Sequence, residues 1–474
     1  MSVITDEFER ICKENEKRIA FYYEKAGVVK SKTYKELYED VEKAESCLVE
    51  KGIGNGKKLL AFASPNYDLL VCMLAAFKLG AAVMYVDIFA KQDSLKNFFN
   101  KFKPDYALVS NKTRFLSLFF KHIRKARVVN VDKFSVGSAI LKSDNIDDNV
   151  PALITATTGS SGQPKVFIRS HGDLFNQLKL IRNNMKVAER NEVILTTSYI
   201  YAFANLIQGF TTVLPNINLA LRKRAKGMIK KLKKFENLKI TTIMTSPDFC
   251  LRLPNLYSEV KRLYFGGAIL NYNEASKIKS KYDGAEIWYI YGSTECALIS
   301  GVRLEEYLDV LKKTGRCLLG NICDGVKVRI GGDGHILVNS DALLRQKLDG
   351  KTTGKYYDIN DIGYVDRGRL YYIGKSGTKV KIKDKEYYAN ELEQQVVLKF
   401  HELSKCAILE YHGVNFAFIE DVDEKKRIEE YLAEKFGIKN VKSLRKIPRD
   451  TKHHTKINYA ELARFCKGHT NLQK

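Results

Sequence analysis

Hydrophobic and polar positions follow two periods in the first part of the chain. Residues 34–51 carry apolar side chains at helical spacing, and residues 58–63 form a short apolar run typical of a buried strand. The alternation of helical and strand patterns continues to about residue 145, with further strands predicted at 81–86 and 106–110. This succession favours βαβ units, in which helices cover a mostly parallel sheet.

The same alternation returns in the middle of the chain and fades toward its end. Short apolar runs predict strands at 192–196, 240–245, 262–265 and 286–290. From about residue 325 the predicted strands become shorter and the turns more frequent. Residues after about 374 predict a small α+β unit, so the fold class expected is α/β with a smaller C-terminal part.

The chain of 474 residues has a formal net charge of +24, from 79 basic and 55 acidic residues. This charge suits nucleotides, polyphosphates, acidic carrier proteins, membrane surfaces or nucleic acid. Nine cysteines without a C-x-x-C pair predict reduced thiols in a cytoplasmic protein. The dense charge of residues 1–20 argues against a secretory signal. The apolar run 69–86 contains Lys78 and Gly80, which predicts a buried helix and strand and no stable membrane insertion.

A segment rich in glycine and hydroxyl groups is the strongest chemical signal. It consists of Thr157, Thr158, Gly159, Ser160, Ser161, Gly162, Gln163, Pro164 and Lys165. The glycines let backbone amides turn toward an anion, the hydroxyls add donors, and Lys165 adds a charge suited to a polyphosphate. It is not a Walker A loop, because two residues separate Gly162 from Lys165.

This segment resembles the phosphate-binding signature of the AMP-forming adenylating enzymes, which include acyl-CoA synthetases, peptide-synthetase adenylation domains and luciferases. A second stretch resembles the strand and glycine-rich turn along which adenine lies: Leu263, Tyr264, Phe265, Gly266, Gly267 and Ala268. A third matches the family motif Y-G-x-T-E: Tyr291, Gly292, Ser293, Thr294 and Glu295. The resemblance implies that Tyr291 stacks on adenine, Thr294 contacts phosphate, and Glu295 holds Mg²⁺ beside phosphate oxygens.

Two residues nearer the C-terminus complete the implied ATP site. Asp361 matches the aspartate that binds the ribose hydroxyls, and Lys456 matches the lysine that contacts the substrate carboxylate and the α-phosphate. The resemblance implies that ATP activates a small-molecule carboxylic acid to acyl-AMP and that a thiol, most simply CoA, then takes the acyl group. It also implies a large ATP- and acid-binding domain, residues 1–374, and a mobile lid domain, residues 375–474, that carries Lys456.

Several positions depart from the family pattern. Lys375 replaces the ribose-binding arginine of a Gly-Arg pair and so lacks the bidentate fork. Gly377 replaces the hinge aspartate, Asp384 replaces a glycine beside the pantetheine arm, and Ala389 replaces a proline. Tyr201 lies about where many acyl-CoA synthetases carry a histidine. These changes concern the thiol-transfer step more than adenylation.

The acid pocket is expected along residues 199–205, which are aromatic and contain no acidic residue. Amino-acid-selecting members of the family use an aspartate near this position, so a fatty or aryl acid is favoured. The predicted pocket residues are Tyr201, Phe203 and Gly266. Core packing explains the two aromatic side chains equally well.

Two basic segments allow either a structural or a binding role. Residues 222–234 predict a surface helix with a solvated basic side. Four lysines alternate with other residues and predict a strand with one basic face: Lys379, Lys381, Lys383 and Lys385. That face is either solvated or steers CoA phosphates or an acidic acyl carrier protein.

Three alternatives remain open from the sequence. The acceptor is an acyl carrier protein with a phosphopantetheine thiol instead of CoA, or the chain is a degenerate member that binds nucleotide without catalysis. Nucleic-acid binding is the third, and the sequence contains no recognised motif for it. We therefore expect no nucleic-acid partner.

Overall fold

The structure is a computed structural model that describes residues 2–63, 66–85, 102–117, 126–132, 145–158, 164–185, 192–215, 217, 225–252, 256–344, 354–420, 422–449 and 456–467. The strands are β1 (Ile19–Lys25), β2 (Val28–Thr33), β3 (Lys58–Phe62), β4 (Ala82–Tyr85), β5 (Tyr106–Val109), β6 (Arg127–Asn130), β7 (Pro151–Thr158), β8 (Pro164–Ser170), β9 (Val193–Thr196), β10 (Thr211–Leu214), β11 (Thr242–Thr245), β12 (Arg262–Gly266), β13 (Glu286–Ser293), β14 (Ala297–Arg303), β15 (Cys317–Ile322), β16 (Lys327–Ile330), β17 (His335–Asn339), β18 (Tyr357–Asp366), β19 (Arg369–Lys375), β20 (Lys379–Ile382), β21 (Lys385–Tyr388), β22 (Cys406–Tyr411), β23 (Val414–Glu420) and β24 (Asn440–Leu444).

The helices alternate with these strands over most of the chain. They are α1 (Val3–Glu14), α2 (Tyr34–Glu50), α3 (Tyr67–Lys78), α4 (Asn111–Ser117), α5 (His171–Asn184), α6 (Tyr199–Leu206), α7 (Ala225–Lys233), α8 (Pro247–Arg252), α9 (Tyr272–Lys281), α10 (Leu304–Thr314), α11 (Ala389–Lys399), α12 (Lys425–Phe436) and α13 (Tyr459–Leu462), followed by the 3₁₀ helix Ala463–Cys466.

A six-stranded sheet has the order β6-β5-β3-β4-β7-β8. Its neighbours are parallel except for the β7–β8 hairpin. Helix α3 begins after Asn66, whose side chain accepts a hydrogen bond from the Leu69 amide at 2.8 Å, and every residue from Leu69 to Phe77 is buried. The apolar run 69–86 thus contains the predicted buried helix and strand. Within the ranges given above, no helix is long and apolar enough to cross a membrane.

The second sheet is mixed, with the order β16-β17-β18-β19-β15-β14-β13-β12-β11-β9-β10-β1-β2. Neighbours from β13 to β1 are parallel, as the sequence predicts. Neighbours from β16 to β13 are antiparallel. Short turns explain part of this change, because a turn such as Arg367-Gly368, with both φ angles positive, reverses the chain directly. The architecture is α/β, as expected.

The strands after β19 form two smaller sheets, β20-β21 and β22-β23-β24. The first sheet corrects the prediction of one strand with four lysines on a single face. Lys379 and Lys381 do share an exposed face of β20, but Lys383, with φ of 54°, and Asp384 form a turn, and Lys385 lies on β21. A polar pair between two short runs supports a tight turn, and this turn interrupts the alternation.

The nine cysteines are free thiols, and all are buried except the half-buried Cys323. This agrees with the expected use of cysteine as a small hydrophobic residue.

Candidate active site

The candidate site lies where the carboxyl ends of β12 and β13 approach β18. Tyr291 of β13 donates a hydrogen bond from Oη to Asp361 Oδ2 on β18 at 2.7 Å. Asp361 is the register partner of Lys375 on β19. Burial raises the pKa of Asp361 above its ordinary value, and the cations of Lys375 and Lys456 oppose this rise. The structure therefore brings together four predicted site residues from distant parts of the chain.

Thr294 and Glu295 lie in the turn between β13 and β14 and are half-buried. Tyr357 of β18 donates a hydrogen bond from Oη to Glu295 Oε1 at 3.1 Å. Burial raises the pKa of Tyr357 above its ordinary value, and the charge of Glu295 adds to the rise. The hydrogen bond fixes one carboxylate oxygen and leaves Oε2 as the atom that can meet a cation.

A buried arginine, which the sequence analysis missed, fixes this turn to the β7–β8 hairpin. Arg169 of β8 is 4 % exposed. Its Nη2 donates to the Thr294 carbonyl at 2.8 Å, its Nη1 donates to Thr155 Oγ1 at 2.6 Å, and its Nε donates to Gln177 Oε1 at 2.7 Å. Burial lowers the pKa of Arg169 to about 10, and the charge of Glu295 opposes the decrease. Its one sequence signal is a basic residue directly after the apolar run Val166, Phe167 and Ile168.

The predicted phosphate loop joins β7 to β8. Thr157 and Thr158 end β7, and Lys165, near the start of β8, is the register partner of Thr157. Five residues of this segment lie outside the described ranges: Gly159, Ser160, Ser161, Gly162 and Gln163. Through Arg169, the base of this hairpin is held next to the turn that carries Thr294.

Two glycines allow a close backbone approach at the predicted adenine side. A Cβ atom on Gly266 would lie 2.2 Å from the Ile290 carbonyl oxygen, and one on Gly292 would lie 1.9 Å from the Ala297 carbonyl oxygen. Both distances are far inside van der Waals contact, so only glycine fits. Gly267 has a φ of 98°, in the region that favours glycine.

A hydrogen bond from β13 also fixes the turn after β12. Ala268 is buried, and its carbonyl accepts a hydrogen bond from Tyr289 Oη at 2.7 Å. The side chain of Tyr289 comes from the neighbouring strand β13, so the two strands fix the glycine turn between them.

Helix α6 carries both aromatic residues predicted for the acid pocket, and it directs their side chains to different sides. Phe203 is 3 % exposed, and its ring centroid lies 5.8 Å from that of Phe77 and 6.4 Å from that of Tyr199. Tyr199 and Phe203 are four residues apart and share one helical face, whereas the half-buried Tyr201 points from another. The contacts of Phe203 favour core packing, one of the two roles that the sequence left open, and the pocket role of Tyr201 stays a prediction.

The chain matches known proteins in sequence. The profile of the AMP-binding enzyme family matches residues 8–345. A D-alanine–D-alanyl carrier protein ligase of Staphylococcus aureus is 24% identical over 405 residues, which cover 80% of this chain and 79% of that ligase.

Solved structures share the fold. The o-succinylbenzoate CoA synthetase of Bacillus subtilis, in complex with ATP and a magnesium ion, has a TM-score of 0.76 and 16% identity, over 94% of this chain and 97% of that chain. McyG A-PCP, in complex with phenylalanyl-adenylate, has a TM-score of 0.78 and 18% identity, over 98% of this chain and 95% of that chain. Because the family profile spans most of the chain, this protein belongs to the AMP-binding enzyme family, and its assignment to the AMP-forming acyl-adenylating superfamily is confirmed.

Proposed function

We propose that this protein uses ATP to activate a carboxylic acid as acyl-AMP and then transfers the acyl group to a phosphopantetheine thiol. The observation that carries the proposal is the convergence of Asp361, Tyr291 and Lys375 with the distant Lys456. An adenylating enzyme needs this combination, since a carboxylate holds the ribose while a cation stabilises charge at the α-phosphate.

On this proposal the nucleotide lies across the ends of β12 and β13. The adenine lies along the backbone turn of Gly266 and Gly267, beside Tyr291. Asp361 offers Oδ1 to a ribose hydroxyl while Tyr291 holds Oδ2, and Lys375 supplies a charge on the adjacent strand. The loop between β7 and β8 binds the polyphosphate through its amides and hydroxyls.

The donor set fits a magnesium ion bound together with ATP. The described parts of the chain contain no group of three or more His, Cys, Asp or Glu residues that could hold a metal. Mg²⁺ typically takes one or two carboxylates plus substrate phosphates, so Glu295 alone satisfies the protein's share. Bound there, the ion would neutralise phosphate charge.

In the first half-reaction, a carboxylate oxygen of the acid attacks the α-phosphorus of ATP, and the bond to the pyrophosphate oxygen breaks. Negative charge accumulates on the oxygens of the five-coordinate phosphorus, and the ammonium of Lys456 stabilises it. The substrate supplies the nucleophile, so no serine or cysteine is required.

In the second half-reaction, we propose that residues 375–474 rotate as a unit against residues 1–374. Gly377, with φ of 84°, absorbs the change of backbone angles. The rotation withdraws Lys456, and the thiol attacks the acyl carbon and releases AMP.

We favour a carrier protein as the donor of the thiol. The similar S. aureus ligase is named for a carrier protein, and the exposed lysines on the β20–β21 hairpin suit an acidic partner. Lys379 is partly neutralised by Glu386 at 2.8 Å, which leaves Lys381 and Lys383 as the stronger attractions. Free CoA, the acceptor first expected from the sequence, is the second candidate, because its phosphates suit the same lysines.

We propose that the substrate is a fatty or aryl acid without an ammonium group. Asp248, on the helix that follows β11, forms an ion pair with Arg252 at 2.6 Å. Because its charge is neutralised within its own helix, it is not the partner for a substrate ammonium group. Residues 199–205 contain no carboxylate that could pair with an ammonium group. Tyr201 remains the proposed pocket residue of α6.

The first experiment is ATP–pyrophosphate exchange with fatty, aryl and amino acids, with Lys456→Ala as the control. Exchange that depends on one acid class and falls by orders of magnitude in Lys456→Ala supports the proposal. ATP binding without exchange for any acid favours the degenerate nucleotide-binding protein.

The acceptor is tested by comparing free CoA with a phosphopantetheinylated carrier protein. Reversal of charge in Lys381→Glu and Lys383→Glu should slow thioester formation with the carrier and leave pyrophosphate exchange unchanged. Equal thioester rates in the variants and the wild type would remove the hairpin from the proposal.

A further inference from the structure

A buried carboxylate lies behind the segment that carries Lys456. Glu393 of α11 is 7 % exposed, and its Oε1 accepts hydrogen bonds from Tyr459 Oη at 2.7 Å and from the Ile408 amide at 2.9 Å. Tyr459 is the first residue of α13 and follows Lys456 by three positions. The adenylation chemistry proposed above uses Lys456 and neither Glu393 nor Tyr459.

Residues 456–459, the lysine segment, are also attached through the backbone. Ile457 forms an isolated antiparallel bridge with Arg449, and the Asn458 amide donates to the Pro448 carbonyl at 3.0 Å. These bonds fix the path of the chain on one side. The Tyr459 hydroxyl adds a side-chain anchor to α11 on the other side and so limits how far Lys456 can shift.

Glu393 also faces an ion pair that joins the C-terminal unit to the large unit. Lys405 Nζ lies 2.7 Å from Glu274 Oε1 on α9, and both side chains are buried. Next to this pair, Asn273 Nδ2 donates to the Leu403 carbonyl at 2.8 Å. Burial raises the pKa of Glu393 to about 7, whereas its hydrogen bonds and the Lys405 cation oppose the rise. The Lys405 cation therefore interacts with Glu393 as well as with Glu274.

We propose that Glu393 and Tyr459 are positioning residues for adenylation, and that the Glu274–Lys405 ion pair holds their unit against the large unit while Lys456 is at the ATP site. This inference rests on the proposed role of Lys456. When residues 375–474 rotate, Glu393 and Tyr459 move together, but Lys405 separates from Glu274. Thiol transfer, which follows withdrawal of Lys456, therefore needs neither contact.

The sharpest test is Tyr459→Phe, which removes one hydroxyl and keeps the ring. We expect the kcat of pyrophosphate exchange to fall about tenfold to a hundredfold with the KM for ATP unchanged, because a displacement of about 1 Å in a catalytic group has costs of this size. Transfer from a chemically prepared acyl-adenylate to the thiol should keep its rate. Tyr431→Phe is the matched control, because Tyr431 bonds the exposed Lys435 on α12.

Variants of Glu393 and Glu274 distinguish a positioning role in adenylation from a general contribution to stability. Glu393→Gln keeps an acceptor for the tyrosine hydroxyl and should retain most of the exchange activity that Glu393→Ala loses. Glu274→Gln should slow exchange and leave thiol transfer equal or faster. If Tyr459→Phe lowers both half-reactions in proportion to a loss of thermal stability, or lowers neither, the positioning role is refuted.

A second measurement does not depend on activity. Hydrogen–deuterium exchange of the Asn458 amide, which is protected by Pro448, should become faster in Tyr459→Phe than in Tyr431→Phe. Equal protection in both variants would show that Tyr459 does not anchor the segment. Absence of pyrophosphate exchange in the wild type with every acid would instead refute the proposed function, and with it the catalytic part of this inference.

Discussion

Glu393→Gln tests whether an ionised carboxylate in the C-terminal core weakens the fold as pH rises. Burial is the largest influence on its pKa and raises it from 4.5 to about 7, while the Ile408 amide, the Tyr459 hydroxyl and the Lys405 cation recover only part of the lost hydration. In the unfolded chain the carboxyl group ionises near its ordinary value. The stability contributed by the protonated form is therefore complete below pH 4.5 and is lost as pH rises through about 7.

The magnitude follows from the difference between these two pKa values. The pKa rises from 4.5 in the unfolded chain to about 7 in the folded protein, and each unit of this difference corresponds to about 1.4 kcal/mol. The unfolding free energy therefore falls by about 3 kcal/mol as the carboxyl group ionises with rising pH. About 2–3 kcal/mol of this decrease falls between about pH 5 and pH 8. Glutamine keeps the shape and an acceptor for Tyr459 but cannot ionise, so the variant should lack this part of the pH dependence.

The assay is urea unfolding followed by circular dichroism at steps between pH 5 and pH 8, for the wild type and Glu393→Gln. We expect the variant to gain about 2–3 kcal/mol relative to the wild type across this range. Glu430→Gln, at an exposed carboxylate of α12, is the control and should follow the wild type. Parallel pH profiles for the wild type and Glu393→Gln would refute the reasoning.

Four further substitutions test the site. Arg169→Lys should lower the unfolding free energy by about 2–4 kcal/mol and pyrophosphate exchange at least tenfold, because lysine cannot reach the three acceptors of the guanidinium; wild-type exchange would contradict its role. Phe203→Ala should lower the unfolding free energy by about 3–5 kcal/mol without changing the relative rates for different acids. Tyr201→Ala should change those relative rates at an unchanged KM for ATP, and an unchanged preference across the acid panel would remove it from the pocket. Gly292→Ala places a Cβ 1.9 Å from the Ala297 carbonyl oxygen, so calorimetry should show ATP affinity reduced at least tenfold, whereas wild-type affinity would count against the close approach.

Much of the fold was predictable because its signals are local. The strand expected at residues 58–63 is β3, Lys58–Phe62, and the strand expected at 106–110 is β5, Tyr106–Val109. β3 is buried from its second residue onward, and β5 is buried over its whole length. Such apolar runs consist of residues that are adjacent in the sequence, so the sequence alone reveals them. The strand expected at 240–245 starts later, at Thr242, because Ile240 and Thr241 have irregular backbone.

Predictions that depended on the direction of a side chain were less secure. The four lysines of residues 379–385 alternate along the sequence, yet a turn at Lys383 divides them between two strands. Phe203 has the composition of a pocket residue, yet its helical phase directs it toward Phe77 in the core. In both cases the pattern fixes a periodicity, and the partner that faces each side chain comes from elsewhere in the chain.

The sequence alone determined the family, the order of the motifs and the candidate residues, because motifs are contiguous and their chemistry depends on residue type. Only the tertiary structure decided which residues meet. A hydrogen bond joins Tyr291 to Asp361 between distant strands of one sheet, and another joins Arg169 to Thr294 between the two large sheets. Glu393 acquires its raised pKa from burial between elements that are distant in the sequence. Distances and desolvation depend on the packing of distant segments, so the pattern along the chain does not contain them.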